Sequence, residues 1–115
     1  MTNNQIIMEE RVRLFNEGKI GTTGRMLSYV DGEGKTVFFP EPEEIHTFAS
    51  WKAQGFKVKK GSKAIATFTI WKYATKEVEN DDGETEERSR MFMKKSSFFA
   101  RSQVEPMVVE ERMVA

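Results

Sequence analysis

The feature that most constrains the fold is an alternating β-type run over residues 64–73, followed by an acidic, turn-forming segment. Side chains alternate between the two faces of a strand, so this run predicts the longest strand of the protein. Residues 77–87 combine asparagine, aspartate and glycine, which favour turns, and residues 88–100 return as a second β-type run. Together these segments predict a long antiparallel hairpin with a solvated, mobile acidic tip. One side of the first strand carries Ala64, Ala66, Phe68 and Ile70, and the other carries Ile65, Thr67, Thr69, Trp71 and Tyr73.

Another hairpin is predicted upstream of the long one. Residues 25–30 and 36–39 are short β-type runs on either side of Asp31-Gly32. Glycine supplies the positive φ that a tight hairpin turn needs, so this dipeptide favours a turn between two paired strands. The prolines at positions 40 and 42 are expected to end the second strand, and the later one suits the first turn of a helix.

Two helices complete the predicted order of elements. Residues 2–17 place Met8, Val12 and Phe15 on one helical face, and residues 43–54 begin with acidic residues and end before a glycine. The resulting order is α-β-β-α-β-β. Strands joined by hairpins pair antiparallel, so the sequence predicts an α+β fold. We expect a small antiparallel sheet of about four strands, formed by two hairpins, with the two main helices packed on it.

The length and composition of the chain exclude several classes of site. A chain of 115 residues predicts one domain, here residues 1–106, followed by a tail over residues 107–115. The absence of cysteine excludes disulfides, thiolate zinc sites and cysteine nucleophiles. The single histidine, His46, and the lack of P-loop and HExxH sequences argue against a cofactor, a metal and an enzymatic activity. No apolar run approaches the ~18 residues of a membrane helix, so we expect a cytoplasmic protein without a membrane partner.

The charges are strongly segregated although their sum is zero. Residues 51–76 contain seven lysines and no acidic residue, residues 88–101 contain five more cations, and residues 77–87 contain seven carboxylates. Cationic side chains attract phosphates, and exposed aromatic rings stack on unpaired bases. The pattern predicts a nucleic-acid-binding surface built from Lys57, Lys59, Lys60, Lys63, Trp71, Lys72, Tyr73, Arg90, Lys94, Lys95, Phe98 and Arg101.

The same residues also have purely structural interpretations. Lysines protect the edges of exposed strands, and aromatic residues in a hairpin are equally consistent with a core. The sequence alone does not decide whether Trp71 and Tyr73 are exposed or buried, whereas Trp51 is expected in the core. The acidic tip is expected to be a solubilising loop. The alternative is that it folds over the basic surface and competes with nucleic acid.

Ten residues form a W-K-x-x-G helix end, a V-x-K-G-x-K turn and a later Phe and Ser-Gln: Trp51, Lys52, Gly55, Val58, Lys60, Gly61, Lys63, Phe99, Ser102 and Gln103. Through these residues, the segment 48–104 resembles the N-terminal, single-stranded-DNA-binding domain of the ArdC-type antirestriction proteins of plasmids and phages. The chain departs from the family pattern upstream, where it keeps only Thr23-Gly24-Arg25, and at Ala100, which replaces an acidic or amide residue.

The resemblance implies a stand-alone, non-enzymatic DNA-binding module from a phage or mobile element. It implies sequence-tolerant binding with a preference for single-stranded DNA, linked to antirestriction. Larger members of the family continue into a zinc metalloprotease-like domain, and we expect this chain, which ends before one, to lack that activity. The alternative is a protein-interaction module that inhibits a host restriction or defence enzyme through the acidic tip, with a host defence protein as its partner.

Overall fold

The computed structural model describes residues 1–108, and these form the α+β fold that the sequence predicts. The elements are α1 (Asn3–Asn16), β1 (Thr22–Val30), β2 (Thr36–Pro42), β3 (Ile45–Thr47), α2 (Phe48–Ala53), β4 (Phe56–Val58), β5 (Ala66–Glu79), β6 (Thr85–Ala100), a 3-10 turn (Arg101–Gln103) and β7 (Val104–Pro106). The strands pair antiparallel in three small sheets, β1–β2, β3–β6–β5 and β4–β7. The described part of the chain thus has seven strands rather than about four, because short segments around the long hairpin also pair.

The long hairpin is the largest element of the molecule. β5 and β6 pair without interruption from Ala66 and Phe98 at the base to Glu79 and Thr85 at the far end. β3 lies beside the last three residues of β6. The remainder of the hairpin, residues 67–79 and 85–97 with the turn between them, is a two-stranded projection that we call the ribbon. The molecule is elongated, with a longest dimension of 60 Å.

The acidic segment is mostly strand, so the tip predicted over residues 77–87 is a shorter turn. The Asn80 N–H donates to the Glu84 carbonyl at 2.7 Å, and the Gly83 N–H donates to the Asn80 carbonyl at 2.9 Å. Gly83 takes the positive φ of 84° that the turn requires. Because this turn closes within residues 80–84, the flanking residues stay in the strands. The mobility of the turn remains a prediction.

Helix α1 covers the base of the ribbon and completes the main core. Thr2 caps it, in a capping box with Gln5. The predicted apolar face is partly wrong, since Val12 is exposed and Leu14 is the buried residue of the helix. The helix is therefore rotated relative to the predicted stripe, with Ile6, Ile7 and Phe15 packed against the core. The buried core residues are Leu14, Ile20, Ile45, Ile70, Phe98 and Ala100.

The second helix is shorter than the predicted span of residues 43–54. Residues 45–47 form β3, which pairs with the end of β6, and α2 begins only after Thr47. The Thr47 hydroxyl accepts a hydrogen bond from the Ser50 N–H at 3.2 Å, as expected of an N-cap. Two β-branched residues in this short segment favour a strand, and pairing with β6 satisfies backbone groups that a helix would otherwise bond internally.

Strand β2 continues through both prolines that the sequence predicts as its end. Pro40 lies opposite Met26 and Pro42 lies opposite Thr22 in a two-stranded sheet. Each strand of such a sheet has a free edge, where the missing N–H of proline is tolerated. The positive φ of the β1–β2 turn belongs to Gly34, at 80°, and not to the glycine of the Asp-Gly pair.

A smaller apolar cluster surrounds Trp51, beside the β4–β7 sheet. The Trp51 side chain is buried, and its indole N–H donates to the Phe99 carbonyl at 2.8 Å. His46 and Phe56 contact the indole edge-on, with ring centroids 4.6 and 5.3 Å away. The expectation that Trp51 belongs to the core is confirmed. Of the predicted tail, residues 109–115 lie outside the described residues.

Candidate nucleic-acid interface

The lysine turn, residues 57–63, is held in shape by backbone bonds. Strand β4 leads into it, and Gly61 adopts a positive φ of 86° that other residues rarely take. The Ser62 N–H donates to the Lys59 carbonyl at 3.1 Å, and the Lys59 N–H donates to the Gln103 carbonyl at 2.8 Å. The extended piece and Gly61 turn that the sequence predicts are therefore present, and the 3-10 turn braces them.

Gln103 is the side chain that joins the lysine turn to the end of the ribbon. Its carbonyl oxygen accepts the Ala100 N–H at 2.8 Å, and its amide nitrogen donates to the Lys63 carbonyl at 2.6 Å. The Gln103 backbone thus contacts the turn at Lys59, and its side chain contacts the turn at Lys63. Gln103 therefore fixes the backbone that carries these lysines.

A buried carboxylate, Glu43, fixes the segment that carries Gln103. One carboxylate oxygen accepts the Ser102 N–H at 2.6 Å, and the other accepts the Gly21 N–H at 2.9 Å. Burial raises the pKa of Glu43, but hydrogen bonds from Ser102 and Gly21 outweigh burial, so the pKa lies below its ordinary value. Glu43 is therefore a charged anchor beneath the 3-10 turn.

The four lysines of the turn differ in how free their charges are. The Lys57 amine lies 3.9 Å from the Glu105 carboxylate, and the Lys59 amine donates to the Ser102 carbonyl at 3.1 Å. Lys60 and Lys63 are exposed, and neither forms an ion pair with any residue in the range 1–108. Lys60 and Lys63 therefore present the least compensated charges of the turn.

Arg101 adds a further cation beside the lysine turn. Its guanidinium carbon lies 4.5 Å from the centroid of the Phe56 ring, a stacked cation–π arrangement. The Phe56 ring also contacts the buried Trp51 ring. The exposed Arg101 side chain is thus held against the half-buried Phe56 ring.

The ribbon has two chemically different faces. Residues that lie opposite each other in an antiparallel pair share a face, so the register assigns every side chain. The face turned away from the core, which we call the aromatic face, carries Thr67, Thr69, Trp71, Tyr73, Thr75, Ser89, Met91, Met93, Lys95 and Ser97. The opposite side packs on the core near the base of the ribbon. Its part beyond the core, which we call the cationic face, carries Lys72, Ala74, Lys76, Arg88, Arg90, Phe92 and Lys94.

Four large side chains form an exposed patch at the centre of the aromatic face. Trp71 lies opposite Met93, and Tyr73 lies opposite Met91. Their exposed fractions are 37% for Trp71, 68% for Tyr73, 45% for Met93 and 62% for Met91. The structure thus decides the question that the sequence leaves open: these two aromatic rings face solvent and are available for stacking.

Three of the four predicted ribbon cations do not share a face with these rings. Lys72, Arg90 and Lys94 lie on the cationic face, whereas Lys95 lies on the aromatic face opposite Thr69. Among the described ribbon residues, Lys95 is the one cation beside the aromatic patch. The single surface that the sequence predicts is therefore divided in two by the pleat of the ribbon.

Phe98 is not a site residue, and its predicted stacking role is wrong. It is 1% exposed and lies in the core, with its ring stacked on Phe68 at a centroid distance of 4.1 Å. Phe98 shares a face with Ala66, on the side that α1 covers. The sequence pattern could not show this, because the run Ser-Ser-Phe-Phe does not indicate which phenylalanine points inward.

The acidic turn lies at the opposite end of the ribbon from the lysine turn. Thirteen residue steps separate the ends of β5, a length of roughly 43 Å at ~3.3 Å per residue. Glu77 and Glu87 lie opposite each other on the aromatic face, just beyond Thr75. Within one chain, the acidic turn does not reach the lysine turn in this conformation, which argues against masking of the basic surface by its own tip.

No group of three or more histidine, aspartate or glutamate side chains among residues 1–108 is placed to hold a metal ion. No helix in the same range is long and apolar enough to cross a membrane.

Comparison with known protein families shows which family the chain matches. Residues 41–99, just over half of it, match the family described as the N-terminal domain of anti-restriction factor ArdC. The chain belongs to this ArdC N-terminal domain family. The resemblance found in the sequence is thereby confirmed. No curated protein and no solved structure gave a significant match.

The ArdC-family match covers β3, α2, the lysine turn, the ribbon and β6 as far as Phe99. Helix α1, strand β1 and the residue Gln103, which braces the lysine turn, lie outside the match. The sequence prediction missed Met91 and Met93 of the aromatic face. The three-residue loop Asp81-Asp82-Gly83 carried a usable signal, since a turn centred on position 82 places residue 93 opposite 71 and residue 91 opposite 73.

Proposed function

We propose that this ArdC-family chain is a non-enzymatic module that binds single-stranded DNA without reading its sequence, and that this binding serves antirestriction. The family match supports the association with antirestriction. The observation that carries the proposal is the exposed aromatic patch of Trp71 and Tyr73. The stretch of the aromatic face from Thr67 to Tyr73, between the base of the ribbon and this patch, carries no carboxylate.

The proposed track begins at Lys60 and Lys63, whose charges attract the phosphates of the strand. It continues over the hydroxyl-bearing base of the aromatic face, passes Lys95 and ends on Trp71 and Tyr73. Stacking on exposed aromatic rings is sequence-tolerant because every base has a π face. From residue 66 to residue 73 the strand part of the track is roughly 23 Å long at ~3.3 Å per residue, which suits a short segment of extended single-stranded DNA.

Arg101 lies beside the start of the track and provides a further cation there. Lys57 and Lys59 add charge, but their amines already contact Glu105 and the Ser102 carbonyl. We therefore assign the main electrostatic role to the two uncompensated lysines. The arrangement combines a basic turn with stacking platforms, and cations together with exposed aromatic rings are the usual chemistry of proteins that bind single strands.

Fluorescence anisotropy with a labelled single-stranded oligonucleotide tests this proposal. In Lys60→Thr/Lys63→Thr we expect weaker binding, with the slope of log K against log salt reduced by about 1.4, at ~0.7 per lost phosphate contact. In Trp71→Ala/Tyr73→Ala we expect a loss of roughly 1–3 kcal/mol for each unstacked base. The matched controls are Lys19→Thr/Lys35→Thr and Phe38→Ala, which alter exposed residues outside the track.

Equal effects of the site variants and their controls would contradict the proposal. No binding by the unaltered protein at low salt would also contradict it, and would favour the rival function of a protein inhibitor. That rival would act through the acidic segment, residues 77–87, in which all seven carboxylate side chains are exposed. Removing those carboxylates should leave single-strand binding intact under our proposal.

A further inference from the structure

We propose that the cationic face of the ribbon is a second DNA-binding surface, one that takes the phosphate backbone of duplex DNA. The protein would then bind a junction, with its single strand on the aromatic face and its duplex on the cationic face. The single-strand half of this inference rests on the proposed function, whereas the duplex half rests on the cationic face alone.

The cationic face presents an ordered stripe of positive charge. Lys94 lies opposite Ile70, Arg90 lies opposite Ala74, and Lys76 lies opposite Arg88. The stripe from position 70 to position 76 is roughly 20 Å long at ~3.3 Å per residue. Since a duplex rises ~3.4 Å per base-pair step, the stripe is about as long as six steps.

Most of these charges are not neutralised by the protein. Among residues 1–108, Lys72, Lys76, Arg90 and Lys94 form no ion pair, whereas Arg88 lies 3.6 Å from a carboxylate oxygen of Glu86. Like charges directly opposite each other destabilise a pair of strands, as at Lys76 and Arg88. A ligand with closely spaced negative charges would relieve that repulsion.

The shape of the cationic face favours phosphates over bases. A cavity of about 530 Å³ lies beside these charges, lined by Ala74, Lys76, Val78, Arg88, Ser89 and Arg90. The aromatic ring on this side, Phe92, is half-buried, and the Arg90 guanidinium lies 5.5 Å from its centroid. The surface therefore offers a cation above the ring and no open stacking platform.

The position of the stripe within the ribbon favours a duplex that crosses it. The carboxylates of the turn would repel phosphates from the far end, which disfavours insertion of the ribbon tip-first into a groove. A duplex is stiff and carries dense charge on both strands, so it can contact the stripe at several points together. Because the two faces lie back to back, a strand leaving the duplex can follow the opposite face.

The test compares three labelled DNAs of matched sequence: a single strand, a blunt duplex, and a duplex with a single-stranded tail. We expect the unaltered protein to bind the tailed duplex at least tenfold more tightly than either other DNA, because the second contact becomes intramolecular. Binding of the tailed duplex no tighter than of the better of the other two would overturn the inference.

Two double variants separate the faces. In Lys76→Thr/Arg90→Thr we expect the tailed duplex to bind no better than the single strand, and the salt slope for blunt duplex to fall by about 1.8, at ~0.9 per phosphate contact. Single-strand affinity should change less than twofold. In Trp71→Ala/Tyr73→Ala we expect the reverse, with single-strand binding lost and blunt-duplex binding kept. Lys19→Thr/Lys35→Thr controls for net charge.

The outcomes distinguish this inference from the proposed function. If both double variants lose both DNAs equally while their thermal unfolding is unchanged, there is one surface and the inference is wrong. If the unaltered protein binds single strands but the cationic-face variant keeps its full duplex affinity, the inference fails and the proposed function stands. If the protein binds duplex through the cationic face but no single strand, the proposed function and the junction fail, and only the duplex surface survives.

Discussion

The side-chain amide of Asn3 pairs with the backbone of Trp71, 68 positions away in the chain. The Trp71 N–H donates to the Asn3 carbonyl oxygen at 2.8 Å, and the Asn3 amide donates to the Trp71 carbonyl at 2.9 Å. Strand β5 is the edge of its sheet, so these backbone groups would otherwise lack a strand partner. One residue at the start of α1 thereby fixes the helix to the ribbon at its exposed tryptophan.

Asn3→Ala should lower the free energy of unfolding by about 1–2 kcal/mol, since two hydrogen bonds of modest net strength are lost. Urea denaturation measures this. Asn4→Ala is the control, because Asn4 is exposed on the same helical turn and forms no side-chain hydrogen bond within residues 1–108. Equal loss in the two variants would show that the Asn3–Trp71 pair does not stabilise the fold.

Gln103→Met should weaken single-strand binding without changing the number of lysines. Loss of the bonds to the Ala100 N–H and the Lys63 carbonyl releases the end of the lysine turn. A cost of about 1 kcal/mol in orienting the turn corresponds to roughly fivefold weaker binding. Anisotropy titrations at several salt concentrations measure both quantities.

The salt slope distinguishes positioning from contact in that experiment. Because Lys60 and Lys63 are retained in Gln103→Met, the slope should stay the same while the affinity falls. A reduced slope would mean that phosphate contacts themselves are lost. Unchanged affinity would show that Gln103 does not position the turn.

Glu77 and Glu87 should mark the end of the single-strand track. They lie opposite each other on the aromatic face, where their carboxylates repel phosphates beyond Thr75. Glu77→Gln/Glu87→Gln should therefore lengthen the occluded site and tighten binding to long oligonucleotides more than to short ones. The same change should stabilise the ribbon by about 0.2–1 kcal/mol, because a like-charge cross-strand pair is removed.

Glu9→Gln/Glu33→Gln provides the matched control for this boundary. Both residues are exposed and lie outside the ribbon, and the change in net charge is identical. If the control tightens binding by the same factor for every length of DNA, the effect is one of overall charge and the boundary is not real.

His46 should make the fold less stable in mild acid. Burial lowers the pKa of His46, with Glu44 raising it and Arg11 lowering it further, and the buried Nε2 has no partner within the described residues. The unfolded chain then binds more protons below its ordinary pKa of 6.5, so the free energy of unfolding falls as the pH drops below that value. His46→Phe should flatten this region of a stability–pH curve.

Glu43 separates that effect from ordinary acid denaturation. Its pKa is lowered, so its stabilisation is fully present above the ordinary value of 4.5 and is lost as the pH falls through the lower pKa of the fold. This second decline should persist in His46→Phe. An unchanged slope between pH 6.5 and 4.5 in that variant would show that His46 is not responsible.

The sequence predicted those features that depend on local pattern. Alternation over residues 64–73 correctly placed Trp71 and Tyr73 on the other face of the strand from Phe68 and Ile70. The conformational freedom of glycine correctly placed the turn at Gly61. The family pattern led to the right family. These successes rest on side-chain period and on backbone conformations that few residues adopt.

The errors concern interactions between distant segments. Residues 45–47 have acidic neighbours typical of a helix start, yet they pair with the end of β6. Phe98 looked like a surface aromatic, although packing against Phe68 buries it. The division of the cations between two faces follows from the cross-strand register, which the residue pattern of each strand alone does not show.

The most direct test of the central claim follows the two tryptophan indole N–H signals by NMR during titration with a short single-stranded oligonucleotide. Trp51 is buried and bonded to the Phe99 carbonyl, whereas Trp71 is exposed on the aromatic face. We predict that the Trp71 signal shifts or broadens saturably while the Trp51 signal stays in place. Saturable binding that leaves the Trp71 signal unmoved would contradict the account.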